Sequence, residues 1–239
     1  MREAGRIVAE VHSWAAENIR PGMTTDELDR KARAIIEGRG ASCTFFGYHG
    51  FPKAICVSVN EEVVHGIPGK RRLEEGDIVG VDVGATWKSY IGDAAVTIPV
   101  GRVPPERLRL METARECLES AIRAMGPGVR VSVVSAAVQT LAESRGYGVV
   151  RDYAGHGIGT RLHEEPQVPN YVDDATRSHD VILRPGMVIC VEPMVNMGCA
   201  EVEVLSDGWT VVTRDRRPSA HFEHTIAVRD DGVEVLSVP

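Results

Sequence analysis

The sequence is short of several things that would fix its class at once. Its five cysteines, Cys43, Cys56, Cys117, Cys190 and Cys199, are odd in number and include no C-x-x-C pair. That excludes a disulfide framework and a cysteine-based zinc site, and points to reduced thiols in the cytoplasm. The amino terminus, Met1-Arg2-Glu3-Ala4-Gly5-Arg6, lacks the apolar stretch of a signal peptide. No run reaches the roughly 20 apolar residues of a membrane span. Positive charge is scarce as well. The formal net charge is −7, whereas affinity for phosphate needs a basic surface, so specific DNA is not an expected partner. The short run Arg214, Arg216 and Arg217 reads as a solvated loop. A complete G-x-G-x-x-G, an H-E-x-x-H pair, a serine or cysteine triad and a low-complexity linker are all missing.

What is present is ordinary globular material. Of the 239 residues, 43% are hydrophobic and 26% charged. At about 150 residues per domain, that allows one large domain or two small ones.

The chain repeats one plan. Pro21-Gly22 is followed by sixteen residues and Arg39-Gly40, and Pro127-Gly128 by sixteen residues and Arg145-Gly146. Each interval predicts a helix. Thr24 and Glu27 form a capping-box pattern ahead of Leu28, Ala32, Ile35 and Ile36. In the second copy Val133, Val134, Ala137, Leu141 and Ala142 keep the same period. Pro104-Pro105-Glu106 suits the start of a helix running to about Met125. Strand-like runs repeat too. Gly76 lies six residues before Asp82, and Gly186 six before Glu192. Asp93-Ala94-Ala95-Val96-Thr97-Ile98 parallels Glu223-His224-Thr225-Ile226-Ala227-Val228. Each half thus offers one carboxylate inside a strand and one at the head of a later strand. The spacing is eleven residues in the first half, suiting a hairpin, and thirty-one in the second. The halves are about 1–101 and 102–239, with a seam at Arg102 to Glu106. A pseudo-twofold relation would bring four carboxylates together.

Asp82, Asp93, His156, Glu192 and Glu223 form the candidate metal site. Most sit in or beside apolar runs, where an unpaired buried charge costs several kcal/mol. Converging carboxylates also repel one another, and divalent cations remove both problems. Oxygen ligands with one imidazole suit Mn²⁺, Fe²⁺, Co²⁺ or Zn²⁺. Two cations at ~3.5–4 Å would make a nucleophile of water near neutral pH. In Gly155-His156-Gly157-Ile158-Gly159 the glycines permit close approach or positive φ, which reads as a ligand on a tight loop. His163 is either an exposed loop residue or a proton donor and oxyanion stabiliser beside the metals. His65, before Gly66-Ile67-Pro68, marks a turn leaving a strand. Histidines 12, 49, 179, 221 and 224 carry no independent signal.

Taken in order along nearly the whole chain, these blocks resemble the methionine aminopeptidases, in the short bacterial type I form. The matching blocks are Gly47-Tyr48-His49-Gly50-Phe51-Pro52, Val64-His65-Gly66-Ile67-Pro68, Val81-Asp82-Val83, Gly92-Asp93, Gly155-His156-Gly157-Ile158-Gly159, His163-Glu164-Glu165-Pro166, Val191-Glu192-Pro193 and Phe222-Glu223-His224-Thr225. The resemblance implies a single α/β (α+β) catalytic domain over 1–239 with the pita-bread fold, a curved antiparallel sheet with helices outside. It implies two divalent ions held by Asp82, Asp93, His156, Glu192 and Glu223, with Asp93 and Glu223 bridging. The implied reaction removes amino-terminal methionine from nascent proteins with a small second residue, by attack of metal-activated water on the first peptide bond. By the same resemblance His65, His163 and Glu192 are catalytic. His65 and His163 also bind substrate, and the methionine pocket involves Tyr48, Phe51, Cys56, His65 and Trp209. A cytoplasmic monomer meeting nascent chains, in transient contact with the ribosome, is implied as well.

Three positions depart from the family pattern. Ala94-Ala95 stand where hydroxyl residues are common, Leu162 where an aromatic is common, and Phe45 where a small residue is common. The sequence also begins close to its first helix, and a zinc-finger extension is not expected. Two rival readings share the scaffold. A prolidase- or creatinase-like hydrolase normally needs a large additional amino-terminal domain. A non-catalytic binding protein normally loses metal ligands.

Overall fold

The structure, a computed structural model, describes residues 1–178 and 180–238. His179, to which the sequence assigned no role, lies outside the described residues. The chain opens with α1 (Arg2–Asn18) and α2 (Thr25–Gly38). The capping box at α2 is formed. Thr24 Oγ1 accepts from the Glu27 N–H at 3.2 Å, and the Glu27 carboxylate accepts from the Thr24 N–H at 2.7 Å. Short strands β1 (Ser42–Cys43), β2 (Cys56–Val59) and β3 (Glu62–Val64) lead to a long hairpin of β4 (Ile78–Trp87) and β5 (Tyr90–Pro99). Lys88 and Ser89 turn it with φ of 48° and 69°, the sign that matches strand twist in a two-residue turn.

Two helices follow, α3 (Pro105–Ala124) and α4 (Val131–Ser144). The remainder is mostly strand. It runs β6 (Gly148–Val149), β7 (Gly155–Gly157), β8 (Glu164–Val168), α5 (Asp174–Ser178), β9 (Val188–Val191), β10 (Met194–Asn196), β11 (Val202–Val204), β12 (Val211–Thr213), β13 (Ser219–His221), β14 (Glu223–Arg229) and β15 (Gly232–Val235). Nine strands make one sheet in the order β1-β4-β5-β14-β9-β7-β8, with β2 also paired to β4 and β15 to β14. Its ladders are antiparallel. Two three-stranded ribbons, β13-β10-β6 and β11-β12-β3, complete the β-structure. Arg216, from the expected basic run, lies in the turn after β12 and pairs with Glu203 of β11.

Successive strand residues face opposite sides of the sheet. Val79, Val81, Val83, Ala94 and Ile98 therefore face outward and pack with Val8, Leu28 and Ile36 of α1 and α2. Farther along, Ile189, Val191, Ile226 and Val228 pack with Leu110, Ala114, Val134 and Val138 of α3 and α4. Each fully buried Val, Leu or Ile among these contributes about 1.5–3 kcal/mol. The packing of α1 on β5 is tight. A Cβ on Gly92 would lie 2.6 Å from the Gly5 nitrogen, so only glycine fits beside Asp93. The parity of β5 also resolves the Ala94-Ala95 departure, because Ala94 belongs to this outer core and only Ala95 faces inward.

Candidate metal centre

The inner face of the sheet collects the polar half of the alternation, in two rows. In the first, Asp82 pairs with Ala95, and Ala95 with Glu223. The β14–β9 ladder ends at His224↔Val191, so one step further sets Glu192 beside Glu223. In the second row Gly84 pairs with Asp93, and Thr225 pairs with Cys190. Gly157↔Ile189 carries the same row on to His156. Cross-strand partners share a face, as do residues two apart, so both rows look inward together.

Threonine hydroxyls join β5 to the strands of the second half. Thr225 Oγ1 donates to the Asp93 carbonyl at 2.7 Å and accepts from the Asp93 N–H at 3.0 Å. Thr97 Oγ1 likewise donates to the His221 carbonyl at 2.8 Å and accepts from its N–H at 2.9 Å. Between them the β5–β14 ladder has the residue pairs Glu223↔Ala95 and His224↔Ala94.

The electrostatics are those of a site lacking positive charge. Asp82 Oδ1, Asp93 Oδ1 and Glu223 Oε1 are buried with no hydrogen-bond partner. Burial pushes the Asp82 carboxyl up to about 7. Burial, then Glu223 and Asp82, push Asp93 well up, and burial followed by neighbouring carboxylates does the same to Glu192 and Glu223. His156 is lowered to about 4, chiefly by burial. Its Nδ1 lies 2.9 Å from the Gly157 carbonyl, to which it donates, leaving Nε2 as a lone pair turned toward Glu192 Oε1 at 3.7 Å. One ligand atom from each of Asp93, His156, Cys190 and Glu223 lies within 4.8 Å of the others. Burial holds the Cys190 thiol well above its ordinary value, so it stays protonated and is a poor ligand. Orphaned carboxylate oxygens around a correctly turned imidazole fit divalent cations.

Above the carboxylates lies a cavity of ≈ 270 Å³. Tyr48, Phe51, Cys56, His65, His163 and Trp209 line it, as do Phe45 and Leu162. Phe51 and Trp209 meet edge to face at 5.1 Å. His65 has φ 60° just after β3, and burial lowers it to about 4. His163 Nδ1 is 2.7 Å from the Tyr48 hydroxyl, and burial and then His49 lower its pKa.

Several local expectations need correction. His156 is on strand β7, not a tight loop. Neither Gly155 nor Gly157 has a left-handed backbone; a Cβ on either would strike the carbonyls of Cys190 at 2.3 Å or Glu165 at 2.2 Å. Glu192 lies one residue past β9, ended by Pro193, and Asp93 is the fourth residue of β5 rather than its head. Val64, Tyr153 and Ala154 also line the cavity and were not foreseen. Nor was His221, whose buried Nε2 lies 3.8 Å from Glu192 Oε2. Its place two residues before Glu223 on an alternating segment was the available signal.

A curled antiparallel sheet holding buried carboxylates and an imidazole beneath an apolar cavity defines a metal-dependent hydrolase of pita-bread architecture. A profile of metallopeptidase family M24 matches residues 1–230. The chain belongs to that family, among its methionine aminopeptidases. It is 48% identical to methionine aminopeptidase 1 of Bacillus subtilis over 237 residues, covering 99% of this chain and 94% of that protein. With the methionine aminopeptidase of Escherichia coli it shares 43% identity, over 100% of this chain and 90% of that one. The crystal structure of the Thermotoga maritima methionine aminopeptidase superposes with a TM-score of 0.96 at 45% identity, covering 100% of this chain and 95% of that one. A prolidase from Pyrococcus furiosus shares the fold alone, with a TM-score of 0.76 at 23% identity, and this chain spans 62% of it.

Proposed function

We propose that this enzyme removes the amino-terminal methionine of nascent polypeptides whose second residue is small. The observation that carries the reading is the set of orphaned carboxylate oxygens at the floor of an apolar-walled cavity. Asp82, Asp93, His156, Glu192 and Glu223 would hold two divalent cations, Co²⁺, Mn²⁺, Fe²⁺ or Zn²⁺, which supply positive charge to polarise a carbonyl and acidify water.

The chain's own groups do the rest. Tyr48, Phe51, Cys56 and Trp209 take the methionine side chain and exclude bulk water. Tyr48 donates to His163 Nδ1, which fixes the proton on Nε2, where it can be donated to the carbonyl oxygen as charge develops. Glu192, made more basic by burial and by its neighbours Asp82 and Asp93, takes the proton from the attacking water when ionised and passes it to the leaving amine. His65, neutral at pH 7, contacts the scissile amide. Asp82 and Asp93 come from one half, and His156, Glu192 and Glu223 from the other, so residues 1–239 act as one catalytic unit.

No helix among the described residues is long and apolar enough to cross a membrane. A cytoplasmic monomer that touches the ribosome transiently suits such a substrate.

The test is metal-free protein reconstituted without oxygen with Fe²⁺, Mn²⁺, Co²⁺ or Zn²⁺, with bound metal counted. The reconstituted enzyme is then offered Met-Ala-Ser, Met-Lys-Ser and Xaa-Pro peptides. Metal-dependent methionine release confined to the small second residue is expected. Cleavage of Xaa-Pro alone, or a protein that binds no cation and is inert, would overturn the proposal.

A further inference from the structure

His221 closes β13 and is rooted at its backbone, where both its N–H and its carbonyl are taken by the Thr97 hydroxyl. The residue is 4% exposed, and Nε2 is buried without a hydrogen-bond partner. The ring is not part of the cavity wall. It stands behind Glu192 instead. His156 Nε2 faces Oε1 of that carboxylate at 3.7 Å, and His221 Nε2 faces Oε2 at 3.8 Å. Two imidazoles therefore flank one carboxylate, one at each oxygen.

The two rings differ in what they present. His156 spends its N–H on the Gly157 carbonyl and turns a lone pair to the site. When Glu192 is ionised to hold a cation, a lone pair on His221 facing it would set two acceptors against each other in a buried place, and an unmet buried polar group costs about 1–3 kcal/mol. A donor there meets an acceptor after a shift of under about 1 Å, since such bonds lie near 2.9 Å.

We infer that His221 is a positioning residue, with its proton on Nε2, donating to Glu192 Oε2 and so fixing the angle at which Oε1 faces the site. His221 touches neither substrate nor the cavity. Its effect on catalysis rests on the proposed role of Glu192, whereas its protonation pattern and its effect on cation binding do not.

The test has two arms. In Zn²⁺-loaded protein, long-range ¹H–¹⁵N spectra of the imidazoles, with the His221 signals assigned by their loss in His221→Gln, are expected to show a protonated Nε2 and a bare Nδ1. His221→Gln keeps an N–H donor and His221→Leu removes it. Mn²⁺ affinity by calorimetry, kcat and KM on Met-Ala-Ser, and thermal unfolding in chelator are then measured for both. His221→Gln should stay within about threefold of the parent in every parameter. His221→Leu should lose about 10- to 100-fold in kcat and in Mn²⁺ affinity, the range of losses when a group supporting a metal ligand is removed. Its KM should hold within about twofold. A bare Nε2, a His221→Leu that matches the parent, or a His221→Gln as impaired as His221→Leu would overturn the inference. If His221→Leu does not fold, the spectra and the glutamine variant decide. If the parent releases no methionine, the proposed activity fails while the spectra and Mn²⁺ binding still judge His221.

Discussion

Thr225→Val is the perturbation with the clearest expected size. The two side chains are nearly isosteric, and Thr225 is fully buried, so the change opens no cavity. What disappears is the hydroxyl that serves both the N–H and the carbonyl of Asp93. Each buried backbone group left without a partner costs about 1–3 kcal/mol, so the pair costs about 2–6 kcal/mol. Against a typical stability of about 5–15 kcal/mol that is a large fraction. The assay is urea unfolding of metal-free protein, reading the midpoint shift at constant slope. Thr225→Ser is the control, because it keeps the hydroxyl and loses one methyl group, worth about 0.8 kcal/mol. The variant should also bind Mn²⁺ more weakly, since Asp93 loses its anchor to β14. A Thr225→Val protein within 0.5 kcal/mol of the parent, on the order of an ordinary surface change, or a serine variant as damaged as the valine one, would refute the reasoning.

Glu223→Gln should act in opposite directions with and without metal. Removing one of four crowded carboxylates should raise the melting temperature in chelator, while Mn²⁺ stoichiometry falls and activity drops by more than about 100-fold; a lower melting temperature in chelator would contradict this. Tyr48→Phe removes the 2.7 Å bond that orients His163, so kcat should fall about tenfold, equivalent to about 1.4 kcal/mol, at nearly constant KM. An unchanged kcat would take Tyr48 out of the mechanism. His12 is buried, and burial lowers it to about 3. An unfolded chain takes up that proton below about pH 6.5 and the native one does not, so His12 supports folding above 6.5 and loses that support as pH falls toward 3. In His12→Gln the decline of unfolding free energy between pH 5.5 and 4 should be shallower by about 1.4 kcal/mol per pH unit. Equal slopes would rule out that assignment.

Much of this was legible in the sequence because it is written in local signals. Thr24 with Glu27 and Pro104-Pro105 mark helix starts through rules that need no tertiary context. Asp82 and Asp93, eleven residues apart, lie on one hairpin, and strand parity alone puts them on one face. Glu192 and Glu223 are thirty-one residues apart with four strands between them, and their adjacency depends on a register that no local pattern encodes. Gly155 and Gly157 looked like turn residues, because a glycine required by a neighbouring carbonyl cannot be told from one required by its own φ. Tyr153 and Val64 gave no sign of facing the cavity, since which side a short strand shows is settled by its neighbours. His221 had the same parity as Glu223, but parity alone names no partner.

The narrow ladder between β5 and β14 has a mechanical consequence. Between its threonine bolts, the pairs Glu223↔Ala95 and His224↔Ala94 carry Asp93 and Glu223 across the junction of the two halves. On the proposed metal site, cations would cross-brace that junction with ionic bonds. Without them, buried carboxyl oxygens lacking hydrogen-bond partners sit at its thinnest point. Chelation should therefore hasten amide exchange along this ladder before it does so in the β4–β5 hairpin, and uniform acceleration across the sheet would disprove that the ions act as a tie rod.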